Sequence, residues 1–283
     1  MSYFKVLGLE KEPFSTSPDP AFFYLSKEHK AILYKLKIAI RLKRGLSIVV
    51  GNVGTGKTTL ARRLFQILRK ENEETVLFHM ILNPVYRFER EFLLYLTQLF
   101  QVEMDSKWPS AIECMKKIED YLFHNGVERN KTIVLLIDEA QKLSVPCLET
   151  LRMLLNYETN EYKLLQLILI GQMELLPRLK KPENFWDRIS LKYSINPLGR
   201  EETKEMINFR LTQASRNNSR PVLFEEGAID EIYNYTRGYP RKITMLCHDA
   251  LETLVMESGE FVDRALVCNL VSKATKLVET EAA

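Results

Sequence analysis

The stretch GNVGTGKTTLARRLF, which starts at Gly51 directly after the apolar run LSIVV, constrains the fold more than any other part of the chain. Its spacing is G-x-x-x-x-G-K-[ST], set between a strand-like segment and a helix-like one, the context this loop requires. Glycines let a backbone turn its N–H groups inward around an anion. A helix beginning near Lys57 adds its N-terminal dipole, which also favours negative charge. Gly51, Asn52, Val53, Gly54, Thr55, Gly56, Lys57, Thr58 and Thr59 therefore form a candidate cradle for a nucleoside triphosphate. Lys57 would reach the β- and γ-phosphates, and the Thr58 hydroxyl would ligate Mg²⁺. A glycine-rich turn without a ligand is the bland alternative, and motif plus context weigh against it.

Around this loop the chain alternates short apolar runs with amphipathic segments. The runs LSIVVG, TVLFHMIL, TIVLLID, LQLILIG and LKYSI read as strands, and apolar spacing such as Leu60, Leu64, Ile67 and Leu68 reads as helix. Continuously apolar strands separated by helices predict a parallel sheet covered on both faces. After NPLGREE the pattern changes to helices over 200–217, 225–237, 240–258 and 263–281, with breaks at Asn217–Pro221, Gly238–Pro240 and Ser258–Gly259. The expected organisation is an α/β base domain over 1–198, with an arm over 1–27, and a helical domain over 199–283.

The run IVLLIDEAQ puts Asp138 at a strand's carboxyl end, where it would organise Mg²⁺. Glu139 follows, and would act as general base on the attacking water. The alternative is that this acidic pair capping a strand is only a solvated loop, and its pairing with the phosphate loop weighs against that. The lysine motif by itself fits kinases, GTPases and motor ATPases. No N-K-x-D guanine-reading stretch occurs, and a small-molecule kinase would rarely need the helical tail.

Composition narrows the class further. Lys and Arg number 40 against 37 Asp and Glu, so no strongly basic nucleic-acid protein is indicated, although RLKRG and ARRLFQILRK are locally basic. Apolar runs fall far short of the ~20 residues of a membrane helix, and no signal peptide opens the chain. A cytoplasmic protein is expected. Cys114, Cys147, Cys247 and Cys268 lack metal or redox spacing and read as small buried hydrophobes.

Several stretches together resemble AAA+ ATPases of the general secretion pathway A-type (ExeA-like) group. They are the arm with PF, PDP and Y-x-S-x-x-H, then GNVGTGKTT, LIDEAQKL, LILIGQMEL, DRISLKYSINPL and GYPRKITMLCHDAL. The resemblance covers almost the whole chain. It implies a P-loop NTPase AAA+ core with a five-stranded parallel sheet and a C-terminal α-helical lid, using ATP and Mg²⁺. It also implies Gln172 as a polar sensor, Arg188 as an arginine finger entering a neighbour's site, and Arg241 as a second sensor that contacts nucleotide. Asn83 is matched with a polar switch restraining Glu139, and Tyr24–His29 with the border of the adenine. Read from residues alone, Arg188 is also a surface partner for Asp187 or Glu183, Arg241 a solvent-facing helix start, and Asn83 a strand-ending turn residue. Secretion-type members commonly carry a transmembrane helix and a peptidoglycan-binding region after the ATPase, whereas this chain stops after the lid helices. The implied partners are further copies of the chain, in a ring or filament, and a protein complex to be assembled or remodelled. A DNA-bound AAA+ regulator of initiator or transposition type is the rival, and the balanced charge argues against it.

Overall fold

The computed structural model describes residues 2–15, 19–72, 74–180, 185–216 and 221–281. Pro18 of the arm, and all of the expected 217–221 break except Pro221, lie outside them. In chain order the helices are α1 (Tyr3–Val6), α2 (Lys27–Arg41), α3 (Lys57–Asn72), α4 (Glu89–Leu99), α5 (Ala111–Phe123), α6 (Val145–Leu154), α7 (Leu175–Leu179), α8 (Arg200–Ala214), α9 (Glu226–Thr236), α10 (Pro240–Met256) and α11 (Arg264–Glu281). The strands are β1 (Leu46–Gly51), β2 (Val76–Ile81), β3 (Thr132–Ile137), β4 (Leu165–Gly171) and β5 (Ile189–Ile195). The chain divides into two compact units, one of residues 28–53 and 60–195, the other of residues 1–27, 54–59 and 196–283.

The first unit is built on one parallel sheet in the order β2-β3-β4-β1-β5. Every residue of β1 and β4 is buried, as an inner strand covered on both faces requires. β5 lies at an edge, and its residues alternate between half-buried and exposed as far as Ser194. Helix α5 buries Cys114, Ile118 and Leu122 at four-residue spacing, and α4 buries Phe92, Leu93 and Leu96 on one face. These side chains join Leu135, Ile137, Leu167 and Leu169 of the sheet in one core. Each contributes roughly 1.5–3 kcal/mol on leaving water. Because all strands run the same way, their carboxyl ends share one edge. Gly51 ends β1 there, Asp138 follows β3, and Gly171 ends β4 in register with Val50.

The second unit is helical. Ile207 and Leu211 of α8, Ile229 and Ile232 of α9, Cys247 and Leu251 of α10, and Val262 and Val267 form its core. Residues 1–27 were expected to lie with the base domain. Instead Leu9, Phe14 and Phe22 belong to this helical core, with Phe14 edge-on to Phe224 at 5.9 Å between ring centroids. Arg210 holds the same arm, donating from Nη1 to the Pro13 carbonyl at 3.3 Å and the Ser15 carbonyl at 3.5 Å. Burial pushes its guanidinium pKa down. Aromatic side chains in a segment without regular structure need a core to enter, and residue order does not say which.

The expected break at Gly238 has a steric cause. Gly238 has φ +74°, and a Cβ there would stand 1.9 Å from the Leu198 carbonyl oxygen. Leu198 in turn donates its N–H to the Gly238 carbonyl at 2.9 Å. Three cysteines are buried, as expected, while Cys268 is half-buried on α11.

Candidate active site

The loop between β1 and α3 runs from Asn52 to Gly56, and its glycines Gly54 and Gly56 have φ of +84° and +90°. Side chains at these angles are strained, so the loop's path depends on glycine. Asn52 and Val53 are exposed at the turn, Thr55 is buried, and Lys57 is only 5% exposed at the first position of α3. Thr58 and Thr59 are half-buried one step further along. An ammonium group almost wholly removed from water at a helix N-terminus, against its dipole, belongs beside an anion.

Within the same unit, Arg241 stands at the start of α10 and its N–H donates to the Gly54 carbonyl at 3.3 Å. A Cβ on Gly54 would come within 3.1 Å of the Arg241 Cβ. Arg241 itself is exposed. Tyr24 donates its hydroxyl to the Glu205 carboxylate, and Lys27 donates its N–H to Glu202 at 3.2 Å. Burial and the neighbouring carboxylate push the Tyr24 phenol up. His29 is buried in α2.

The carboxyl edge of the sheet carries the acidic pair. Asp138 is 1% exposed, and its Oδ1 accepts the Glu139 N–H at 2.9 Å. Glu139 adopts a left-handed backbone, φ 54° and ψ 35°, which costs a non-glycine residue about 1–3 kcal/mol. The turn re-aims the chain immediately after β3. Gln141 then donates from Nε2 to Glu139 Oε2 at 2.8 Å and accepts the Gln172 N–H on Oε1 at 3.1 Å. One amide therefore joins Glu139 to the end of β4. Gly171 leaves the room for it, since a Cβ there would lie 2.8 Å from Gln141 Oε1. Arg178 of α7 fixes the backbone below by donating to the Gln141 carbonyl at 2.7 Å and to the Leu143 carbonyl.

Asn83 is linked to this cluster through an intermediary. Its Oδ1 accepts from Lys142 Nζ at 3.0 Å, and that ammonium lies 4.0 Å from Glu139 Oε2. Arg188 is engaged elsewhere. It donates from Nη1 to the Arg152 carbonyl at 3.1 Å and to the Asn156 side chain, both at the C-terminal end of α6. Asp187, one of the two alternative partners, is not among these contacts, and Glu183, the other, lies outside the described residues. A cation there complements the helix dipole. The sequence reading omitted Gln141 and Lys142. Their signal was present in the run DEAQK, where a polar side chain two or three residues past a turn can fold back on the acid.

Comparison with known proteins bears on the family and the fold. A family model described as AAA domain matches residues 40–179. General secretion pathway protein A of Aeromonas hydrophila is 36% identical over 251 residues, which are 88% of this chain and 44% of that protein. The chain thus spans under half of that relative's length. Among solved structures, the ORC2 protein of Aeropyrum pernix, in ADPNP–ADP complexes, superposes with a TM-score of 0.64 at 16% identity, over 94% of this chain and 72% of that one. The RuvB Holliday junction branch migration motor of Thermotoga maritima superposes with a TM-score of 0.56 at 19% identity, over 88% and 72%. At such identities the two structures speak for the fold only. Among the described residues no helix is long and apolar enough to cross a membrane. The phosphate-loop path, the strand order and the domain match converge on an AAA+ P-loop core, in a chain similar over 88% of its length to general secretion pathway protein A.

Proposed function

We propose that this chain binds ATP with Mg²⁺ at the 51–59 loop, hydrolyses it where copies of the chain meet, and uses the cycle to assemble or remodel a secretion-related protein complex. The observation that carries the reading is the loop itself: two left-handed glycines leading into a helix whose first residue is a buried lysine. ORC2 was solved with adenine nucleotides, in agreement with ATP as the ligand. The name of the Aeromonas relative motivates the secretion partner.

The residues fit a metal-bound triphosphate. The Asp138 carboxylate is buried at the sheet's carboxyl edge, an environment that penalises its charge unless cations or donors meet it. Thr58 and Asp138 would hold Mg²⁺, which supplies charge neutralisation on the phosphate oxygens. Lys57 and the loop N–H groups orient the β- and γ-phosphates. Glu139 takes the proton of the attacking water, Gln172 positions that water or the γ-phosphate, and Arg241 reports the bound state to the helical unit. Arg188 of a neighbouring copy stabilises the charge that develops on the transferred group.

The test separates binding from turnover. Lys57→Ala should abolish ATP binding in calorimetry. Glu139→Gln should bind ATP yet lose at least about 100-fold in phosphate release, because an amide cannot accept the proton. Hydrolysis by Glu139→Gln at the parental rate would remove the base assignment.

A further inference from the structure

Helix α2 carries a face that the nucleotide site does not use. Its buried side holds Ile32, Leu33, Leu36, Ala39 and Ile40 against the core. On the opposite side Tyr34 and Ile38, with Leu42 one residue past the helix end and bonded through its N–H to the Ile38 carbonyl, recur every four residues and are 67%, 37% and 54% exposed. Four-residue spacing stacks them into one stripe. Residues 30–44 contain Lys30, Lys35, Lys37, Arg41, Lys43 and Arg44 and no Asp or Glu. At 100° per residue, Lys30, Lys37 and Arg41 flank the stripe on one side and Lys35 on the other. Lys35 leans over the Tyr193 ring of edge strand β5 at 4.6 Å, and β5 adds exposed Lys192 without an acidic residue. Where the stripe ends at Leu42, a depression of about 580 Å³ opens, lined by Leu42, Lys43, Arg44 and residues 158–163. In it Glu158 is paired with Lys163, Glu161 is a second, exposed carboxylate, and Lys43 lies 3.9 Å from the Tyr162 ring centroid.

A helix with an apolar stripe rimmed by lysine and arginine suits the boundary of an anionic bilayer. Apolar side chains enter between headgroups there, while long basic ones reach the phosphates. Acid-free basic segments gain further from the negative surface potential, which acts within about a Debye length. A nucleic-acid duplex would meet the cations equally well but leaves three apolar side chains with no partner in the middle of its phosphate contacts. The stripe is also convex, the surface of a helix, and so offers no groove to a partner peptide. We propose that the outer face of α2 with the residues directly after it, from Lys30 to Arg44, docks this chain on an anionic lipid surface. This docking is independent of nucleotide chemistry.

The test is sedimentation of the full chain with vesicles of phosphatidylcholine alone or with 30% phosphatidylglycerol, at moderate salt. Binding to the anionic vesicles should exceed binding to neutral ones at least tenfold. It should fall at least tenfold in Tyr34→Glu/Ile38→Glu/Leu42→Glu and in Lys30→Glu/Lys37→Glu/Arg41→Glu, both with parental circular dichroism. Lys107→Glu/Lys116→Glu/Arg129→Glu makes the same charge change elsewhere on the unit and should retain binding. Single Tyr34→Glu, with a smaller loss, covers failure of a triple variant to fold. Equal binding to both vesicles, equal loss in the control triple, retention by the stripe variant, or binding to a 30-base-pair duplex in place of vesicles would each overturn the proposal.

Discussion

Gln141 holds Glu139 by a 2.8 Å hydrogen bond from its amide to the carboxylate, while its carbonyl oxygen receives the Gln172 N–H. A side chain only 7% exposed thus ties the proposed base to the strand carrying the proposed sensor. Gln141→Leu keeps the volume and removes both bonds. We expect normal ATP affinity and a turnover lowered about 10–100-fold, since a misplaced base loses most of its proximity advantage. An unchanged kcat would mean that Glu139 is positioned by its strained backbone alone.

Arg188 has two separable roles to test. Its bonds to Arg152 and Asn156 at the end of α6 predict that Arg188→Ala lowers stability by about 0.3–1 kcal/mol, read by urea unfolding. A finger acting on a neighbour predicts a much larger loss of turnover, about 10³–10⁵. Mixing Arg188→Ala with Glu139→Gln should restore part of the ATPase activity, because one subunit keeps the base and its neighbour keeps the arginine. Co-assembled mixtures as inactive as either parent would confine Arg188 to its α6 contact.

Gly238→Ala places a Cβ where the Leu198 carbonyl oxygen stands, at a positive φ. Backbone on both sides leaves no flexible atom to yield. We expect a loss of at least about 3 kcal/mol in chemical denaturation. Gly199, whose added Cβ would meet nothing within 4 Å, is the matched control, and Gly199→Ala should cost far less.

His79 on β2 packs edge-on to Phe100 and bonds to the Tyr121 hydroxyl at 3.1 Å. Burial lowers its pKa from 6.5 to about 4, with a smaller opposing influence from the Leu99 backbone. The unfolded chain therefore takes up a proton between pH 6.5 and 4 that the folded chain refuses. Stability should decline as pH falls through that window, by up to about 3 kcal/mol, and this contribution should level off below pH 4. His79→Phe should flatten that part of the curve in urea titrations from pH 7 to 4. An unchanged slope would place the acid sensitivity elsewhere.

Local chemistry made much of this protein readable in one dimension. The five strand-like runs are the five strands; in β1, β3 and β4 the cause is burial on both faces, which leaves few alternatives to continuous Val, Ile and Leu. The glycine spacing announced the loop, since positive φ at Gly54 and Gly56 is a property of the residue itself. The helix break at Gly238–Pro240 was legible for the same reason, whereas at Ser258–Gly259 it is Ser258 that takes the left-handed turn. The sequence did not disclose which core would take Phe14 and Phe22, that β4 would lie between β3 and β1, or that Gln141 would bridge Glu139 and Gln172. Nor did it show Arg188 bonded to the end of α6, or Lys142 between Asn83 and Glu139. Those arrangements join residues far apart in the chain or depend on one left-handed turn. Their energies arise only once packing has brought the groups within hydrogen-bond range, and no periodicity records that distance.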